Sequence, residues 1–235
     1  VASHHGLKLY EDCCQVVLGK YKGRYTGTLG DAGCFSFDPE KTMGSDTGGC
    51  FVTNDTALYE RARYVAQNRA SAMREGFGRV HTDIGYAYRM PQCTAAICLA
   101  QLEAAPEWVA RRDAMGRLVY RYLREIPGIK PLDIPSYVDV FSCWMLGFSL
   151  EEGAFRCTPA EFGAQVQAKG VATASTAEYY LMPEALEMLH RKTAEGIFPY
   201  STPPAQRPYV YNADTCPNAR DFMKTFIRWV NLSEK

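Results

Sequence analysis

Three short stretches hold the residues able to do chemistry: Glu11-Asp12-Cys13-Cys14-Gln15, then Gly30-Asp31-Ala32-Gly33-Cys34-Phe35-Ser36-Phe37, then Lys41 followed by Gly48-Gly49. A carboxylate at one strand end, a hydroxyl at the next and a lysine five residues beyond it are the groups a pyridoxal phosphate site needs. The lysine forms the Schiff base, the acid keeps the pyridine nitrogen protonated, and the serine helps bind phosphate. A nearby carboxylate favours the protonated ring because an opposite charge at close range stabilises a cation. Once displaced by an amino donor, the lysine is a free amine able to move a proton, so one residue serves as anchor and general base.

These groups need elements that deliver them to one edge. Gly6 to Asp12 alternates apolar and polar residues before its two acids, the pattern of a strand that carries carboxylates to the carboxyl end of a sheet. Cys34-Phe35-Ser36-Phe37 is a short apolar run suited to a strand buried on both faces, and Cys50 to Thr53 predicts a third strand. Asn54 or Asp55 caps a predicted helix to about Asn68, with Leu58, Ala62, Val65 and Ala66 on its inner side. Thr94 to Leu102 is apolar nearly all round and predicts a buried helix; Pro106 then resets the chain before an amphipathic helix ending near Gly128, with Leu118, Val119, Tyr122 and Leu123 as its core face. Phe141 to Leu150 reads as a strand, Thr158-Pro159-Ala160-Glu161 opens a helix with a capping box, and Gly170 stops it. Helices are expected at 184–192 and 218–229, on either side of a Pro/Tyr-rich loop from Phe198 to Tyr211.

The stretch from His5-Gly6-Leu7 through Glu11-Asp12 and Gln15 to Phe35-Ser36-Phe37-Asp38-Pro39-Glu40-Lys41 resembles the DegT/DnrJ/StrS sugar aminotransferase family. Tyr88-Arg89-Met90, Ala95-Ala96, Gln101-Leu102 and the late Cys216-Pro217 extend the similarity. The resemblance implies a partial fold-type-I pyridoxal phosphate enzyme of α/β class: a mainly parallel sheet in the large domain, then a smaller α+β domain. Residues 1–110 would be the later part of the large cofactor-binding domain and 111–235 the small one. It further implies that Asp12 pairs with the pyridine nitrogen, Gln15 contacts the ring hydroxyl side, Ser36 the phosphate, and Lys41 is the Schiff-base lysine, with active sites at a homodimer interface in the cytoplasm. Arg89 and Tyr88 are candidates for substrate contact. The implied reaction moves an amino group from glutamate or glutamine to a keto-sugar, nucleotide-linked, or to a keto-cyclitol. Relatives that dehydrate sugars replace the lysine with histidine, which sets the retained Lys41 against that alternative.

Bland readings stand beside these. Asp12 at a strand end also suits a turn or cap, Ser36 also suits a backbone-satisfying hydroxyl, and Arg89 also suits a structural salt bridge. The Tyr179-Tyr180, Tyr200, Tyr209 and Tyr211 aromatics either line a substrate mouth or pack the second sub-domain. Gly27 to Gly33 lacks the Gly-Lys-Ser/Thr ending of a nucleotide loop and reads as a tight connection. Two departures from the family pattern, Asp46-Thr47 before Gly48-Gly49 and Ala87 in place of an asparagine before Tyr88-Arg89-Met90, keep a third reading open, a non-catalytic sensor of the same fold.

The composition narrows the partners. The chain has 235 residues, 47% hydrophobic, with 26 basic and 26 acidic side chains. That balance predicts no nucleic-acid binding, and the apolar runs are shorter than a membrane-spanning helix requires. Nine cysteines without paired spacings read as buried, reduced packing thiols, and the adjacent His4-His5 lack partners at metal-ligand spacing, so no metal is expected. Because the family carries a long phosphate-binding region ahead of the His-Gly-Leu turn, the sequence is expected to be a fragment of a longer reading frame, inactive by itself.

Overall fold

A computed structural model describes residues 1–67, 72–76, 78–81, 84–171, 174–176, 180–186, 203, 211–212 and 214–230. The chain forms two compact units, one of Val1–Val119 with Asp133–Trp144, the other of Tyr120–Leu132 with Met145–Asn231.

In the first unit, β1 (Tyr10–Asp12), β4 (Ala32–Ser36) and β5 (Gly49–Val52) form a three-stranded sheet in the order β1-β4-β5. β1 and β4 run parallel, pairing Asp12 with Cys34, whereas β4 and β5 are antiparallel, pairing Ser36 with Gly49. The expected parallel arrangement therefore holds in one of the two pairings. β5 reverses because the Lys41 turn folds the chain straight back along β4. A second small sheet has the order β3-β2-β9, with β2 (Lys20–Tyr21) pairing both β3 (Arg24–Tyr25) and β9 (Val138–Val140), and β6 (Ala72–Arg74) pairs with β7 (Gly78–Val80). The Gly-rich connection is folded around one carboxylate: Glu11 accepts the backbone N–H groups of Gly27 at 2.8 Å, Leu29 at 2.6 Å and Gly30 at 2.8 Å. Gly33 is required there, since a Cβ would lie 2.5 Å from the Gly27 Cα.

Helix α1 (Thr56–Gln67) starts at the expected cap, with Asp55 Oδ1 accepting from Ala57 at 2.9 Å and Leu58 at 3.2 Å. Leu58, Ala62, Val65 and Ala66 are half-buried, and Tyr64 is the side chain fully inside. The sequence predicts a break at Pro106; instead one helix, α2 (Gln92–Leu123), runs through it. Pro106 lies on the exposed side of the helix, where a missing backbone hydrogen bond costs least. Thr94, Cys98, Ala105 and Val109 are buried, a stripe at helical spacing, and the last three join Val17, Phe37 and Met43 in this unit's core. The first half of α2 is thus not buried all round: Ile97 is 47% exposed, Leu99 64% and Leu102 45%. Leu118 and Tyr122 also face outward, because the inner stripe continues instead through Gly116 and Tyr120.

The second unit is an antiparallel sheet, β11-β12-β10-β8, of β8 (Ile129–Pro131), β10 (Met145–Leu150), β11 (Ala174–Thr176) and β12 (Phe226–Val230). With α3 (Pro159–Ala168), the short α4 (Met182–Ala185) and α5 (Pro217–Thr225) it makes the expected α+β texture. Ile129, Phe148, Leu150 and Ile227 form its core. The capping box is formed: Thr158 accepts from Glu161 N at 3.2 Å and Glu161 accepts from Thr158 N at 2.7 Å. Gly170, at φ +105°, follows the end of α3.

Two expected elements are corrected. The predicted strand from Phe141 to Leu150 begins only at Met145, because Ser142, Cys143 and Trp144 leave the sheet to bond other parts of the first unit. The predicted helix over 218–229 stops at Thr225, and Phe226-Ile227-Arg228-Trp229-Val230 becomes a strand between β10 and β11, a β-branched and aromatic run captured by its neighbours. Residues 187–192, most of the loop from Phe198 to Tyr211, and Tyr179, Tyr200 and Tyr209 lie outside the described residues.

All nine cysteines are free, but only Cys13, Cys98 and Cys143 are buried; Cys34, Cys50 and Cys93 are exposed. Cys34 and Cys50 lie on the sheet, so their strands are not covered on both faces. Among the described residues no helix is long and apolar enough to cross a membrane, and no group of three metal-ligating side chains occurs.

Candidate functional site

Because β1 and β4 are parallel, Asp12 and Ser36, their last residues, reach the same edge of the sheet. The exposed Asp12 carboxylate accepts the Cys14 backbone N–H at 3.0 Å. The Cys14 thiol, then the Cys14 N–H and the charge on Lys41, hold the Asp12 carboxyl below the usual carboxylate range, so it stays ionised. The same contact pushes the Cys14 thiol up to about 11, first through its hydrogen bond to Asp12 and then through burial.

Lys41 lies in the turn leaving β4, its N–H donating to the Asp38 carbonyl at 3.0 Å. Its amine donates to Gln15 Oε1 at 2.9 Å, joining the turn after β1 to the turn after β4. The Lys41 turn is held from beneath by α2. Gln101 donates to the Gly44 carbonyl at 2.5 Å and accepts its N–H at 3.1 Å, and Arg112 donates to Thr42 Oγ1 at 2.9 Å. From the side comes Ser142-Cys143-Trp144. Ser142 bonds both backbone groups of Val17, accepting its N–H at 3.2 Å and donating to its carbonyl. Cys143 is fastened to Arg112, and Trp144 Nε1 donates to the Glu40 carbonyl at 2.7 Å.

Ser36 Oγ accepts from Asp38 N at 3.3 Å, so the backbone-satisfying role is real. Gly48-Gly49 is explained by backbone: Gly48 has φ +127° and Met90 packs where its Cβ would be, while a Cβ on Gly49 would meet the Phe35 carbonyl at 2.5 Å.

The structure thus gathers Asp12, Gln15 and Lys41, with Ser36 at the adjoining strand end. Arg89 and Tyr88 have their contacts elsewhere. Arg89 donates to the Gln67 carbonyl at 2.9 Å, a cation at the C-terminal end of α1. Tyr88 stacks on Tyr86 with ring centroids 5.0 Å apart. Two residues at the site escaped the sequence reading. Cys14 reads as packing until its backbone N–H is seen to donate to Asp12. Trp144 is 104 positions from Glu40, so no local pattern connects it to the lysine turn. An ionised carboxylate, an amide, an amine and a hydroxyl at one sheet edge form the donor set that suits pyridoxal phosphate.

The family model of the DegT/DnrJ/EryC1/StrS aminotransferase family matches residues 1–226. The GDP-perosamine synthase of Escherichia coli O157:H7 is 39% identical over 140 residues, covering 60% of this chain and 35% of that protein. A putative L-glutamine:3-amino-2,3-dideoxy-scyllo-inosose aminotransferase of Micromonospora echinospora is 37% identical over 134 residues, covering 56% and 31%. The chain therefore spans about a third of the length of these curated relatives. Among solved structures, a DegT DnrJ EryC1 StrS aminotransferase from Brucella abortus superposes with a TM-score of 0.74 at 21% identity, over 99% of this chain and 55% of that one. With the family model matched across nearly its whole length, the chain belongs to the DegT/DnrJ/EryC1/StrS aminotransferase family.

Proposed function

We propose that this chain is part of a pyridoxal phosphate-dependent aminotransferase that moves an amino group from glutamate or glutamine to a keto-sugar, nucleotide-linked, or to a keto-cyclitol. The observation that carries the reading is the Lys41 amine at 2.9 Å from Gln15 Oε1 beside an ionised Asp12. Family membership and the named sugar and cyclitol relatives support the substrate class.

In this reading Asp12 holds the protonated ring nitrogen, which its contacts with Cys14 leave it ionised to do. Gln15 binds on the ring hydroxyl side, and the Ser36 O–H donates to a phosphate oxygen. Lys41 is the covalent anchor, and when released its amine takes and returns the proton at the substrate carbon. The bound cofactor supplies an aldehyde for the lysine and a ring that accepts electrons from that carbon. Residues 1–110 form the later part of the large cofactor-binding domain and 111–235 the small one, except that residues up to Val119 and Asp133–Trp144 fold with the first unit. The enzyme is a cytoplasmic homodimer with its sites at the interface, and Arg89 and Tyr88 serve the substrate side.

The test uses the full chain incubated with pyridoxal phosphate, reduced with borohydride and mapped by peptide mass spectrometry. A reduced adduct on Lys41, together with amine transfer from glutamate or glutamine to a panel of keto-sugars, is the expected result. An adduct elsewhere, or none, overturns it. Ala87, where the family has an asparagine, favours a second reading as a non-catalytic sensor. In that case the adduct forms on Lys41 and no amine is transferred.

A further inference from the structure

Lys41 Nζ lies 4.7 Å from the centroid of the Trp144 ring, on its face, while donating to Gln15 Oε1 at 2.9 Å. An indole face attracts an ammonium through the negative potential of its π system. The ring is itself tied to the lysine turn: its Nε1–H donates to the carbonyl of Glu40, the residue before Lys41, at 2.7 Å. The two residues before Trp144 are buried and stitched in two directions, Ser142 to Val17 just beyond the Gln15 turn and Cys143 to Arg112 on α2. One short segment thereby fixes, relative to each other, the amide that accepts from the lysine and the ring that lies beneath it.

The geometry points to Trp144 as the positioning residue of Lys41: its indole face and the Gln15 carbonyl hold the lysine amine at the sheet edge whenever it is not covalently engaged. The inference rests on Lys41 being the covalent anchor. Its chemical logic lies in what the amine is not bonded to. Asp12 feels Lys41 only as a neighbouring charge, and its hydrogen bonds come from Cys14. An ammonium locked onto that carboxylate would neutralise the group meant for the ring nitrogen. A neutral amide and a π face hold the same ammonium and leave Asp12 uncommitted. For covalent capture the ammonium first gives its proton to solvent, and its nitrogen then bonds the aldehyde carbon as the aldehyde oxygen leaves as water. A flexible four-carbon stem already held in place samples fewer unproductive positions before that attack.

The test measures, in the full chain freed of cofactor, the rate at which Lys41 captures added pyridoxal phosphate. Capture is followed by borohydride trapping and peptide mapping, independently of turnover. Trp144→Leu removes both the face and the N–H and is expected to slow capture about 3- to 30-fold. Trp144→Phe keeps a face without the N–H and is expected to recover most of that loss. Fluorinated tryptophans placed at position 144 keep shape and N–H while weakening the face, and the rate is expected to fall as fluorines are added. This series stays informative should Trp144→Leu fail to fold. An unchanged rate in Trp144→Leu, a Phe variant as slow as Leu, or a fluorine series without a trend would each overturn the proposal. A wild-type chain that forms no adduct on Lys41 would instead overturn the underlying reading of the lysine, so the two failures are distinguishable.

Discussion

Asp12 and Cys14 show how two neighbouring side chains set each other's ionisation. The Cys14 thiol and N–H hold the Asp12 carboxyl low, and the carboxylate in turn pushes the Cys14 thiol up to about 11. The signs run oppositely with pH. The stability contributed by Asp12 is in place above the ordinary carboxylate range and is lost as the pH falls through its lowered value. That contributed by Cys14 is in place below the ordinary thiol range and is lost as the pH rises towards about 11. Only the thiolate reacts with iodoacetamide, so near about pH 8 Cys14 is expected to alkylate about 100-fold more slowly than a thiol of ordinary pKa and equal access. Because Asp12 is the first cause of the shift, Asp12→Ala should raise the Cys14 rate by at least about 10-fold. Timed alkylation with peptide mass spectrometry, using exposed Cys93 as the internal reference, measures both. A Cys14 rate indifferent to Asp12 would contradict the pairing. In the sequence, Asp12 and Lys41 stand out by type and order and Gln15 through the family resemblance, and the structure places the three together. The thiol's place is not legible there, since adjacent cysteines carry no sign of which one turns towards a carboxylate.

At the scale of elements, α2 decides where the lysine turn sits. Gln101 takes both backbone groups of Gly44, doing for the turn what a paired strand would do for a ladder. Gln101→Ala leaves that N–H and carbonyl to whatever water reaches them, at an expected cost of about 1–3 kcal/mol. Urea denaturation of the full chain measures the cost. A change below a few tenths of a kcal/mol would mean the turn holds itself. The local signals in the sequence gave reliable starts and stops where the physics is local: the Asp55 cap, the Thr158 and Glu161 box, and the halt at Gly170 all stand as expected. They fail where a distant partner decides. Phe226 to Val230 has enough helical context to extend α5, yet β10 and β11 pair with it and Ile227 is completely buried there. Pro106 signals a break, but its missing N–H faces water while Ala105 and Val109, on either side of it, anchor the helix in the core.

At the scale of the molecule, the apolar periodicity of α2 is informative because only part of it is satisfied. Thr94, Cys98, Ala105 and Val109 face the core, while Ile97, Leu99 and Leu102 lie open, and Ile84, Tyr86 and Tyr88 are exposed before the helix begins. Covering a Leu or Ile completely is worth about 1.5–3 kcal/mol, so closing over the open parts of these three helix residues would contribute on the order of 1 kcal/mol each. The sequence predicts a helix buried all round, whereas the structure buries one face of it and leaves Ile97, Leu99 and Leu102 open. Exposed apolar surface of this kind binds hydrophobic dyes and drives association. The 235-residue chain purified alone is therefore expected to bind such a dye and to self-associate in sedimentation velocity. Ile97→Lys with Leu99→Lys is expected to reduce both, with little loss of stability, since neither side chain belongs to the core. If the cover is a second subunit, as in the proposed homodimer, the same pair of substitutions should shift the protein towards monomer and lower its affinity for pyridoxal phosphate. A dye-silent, monomeric 235-residue chain would show that this helix face needs no cover, and would remove the physical ground for placing an interface there.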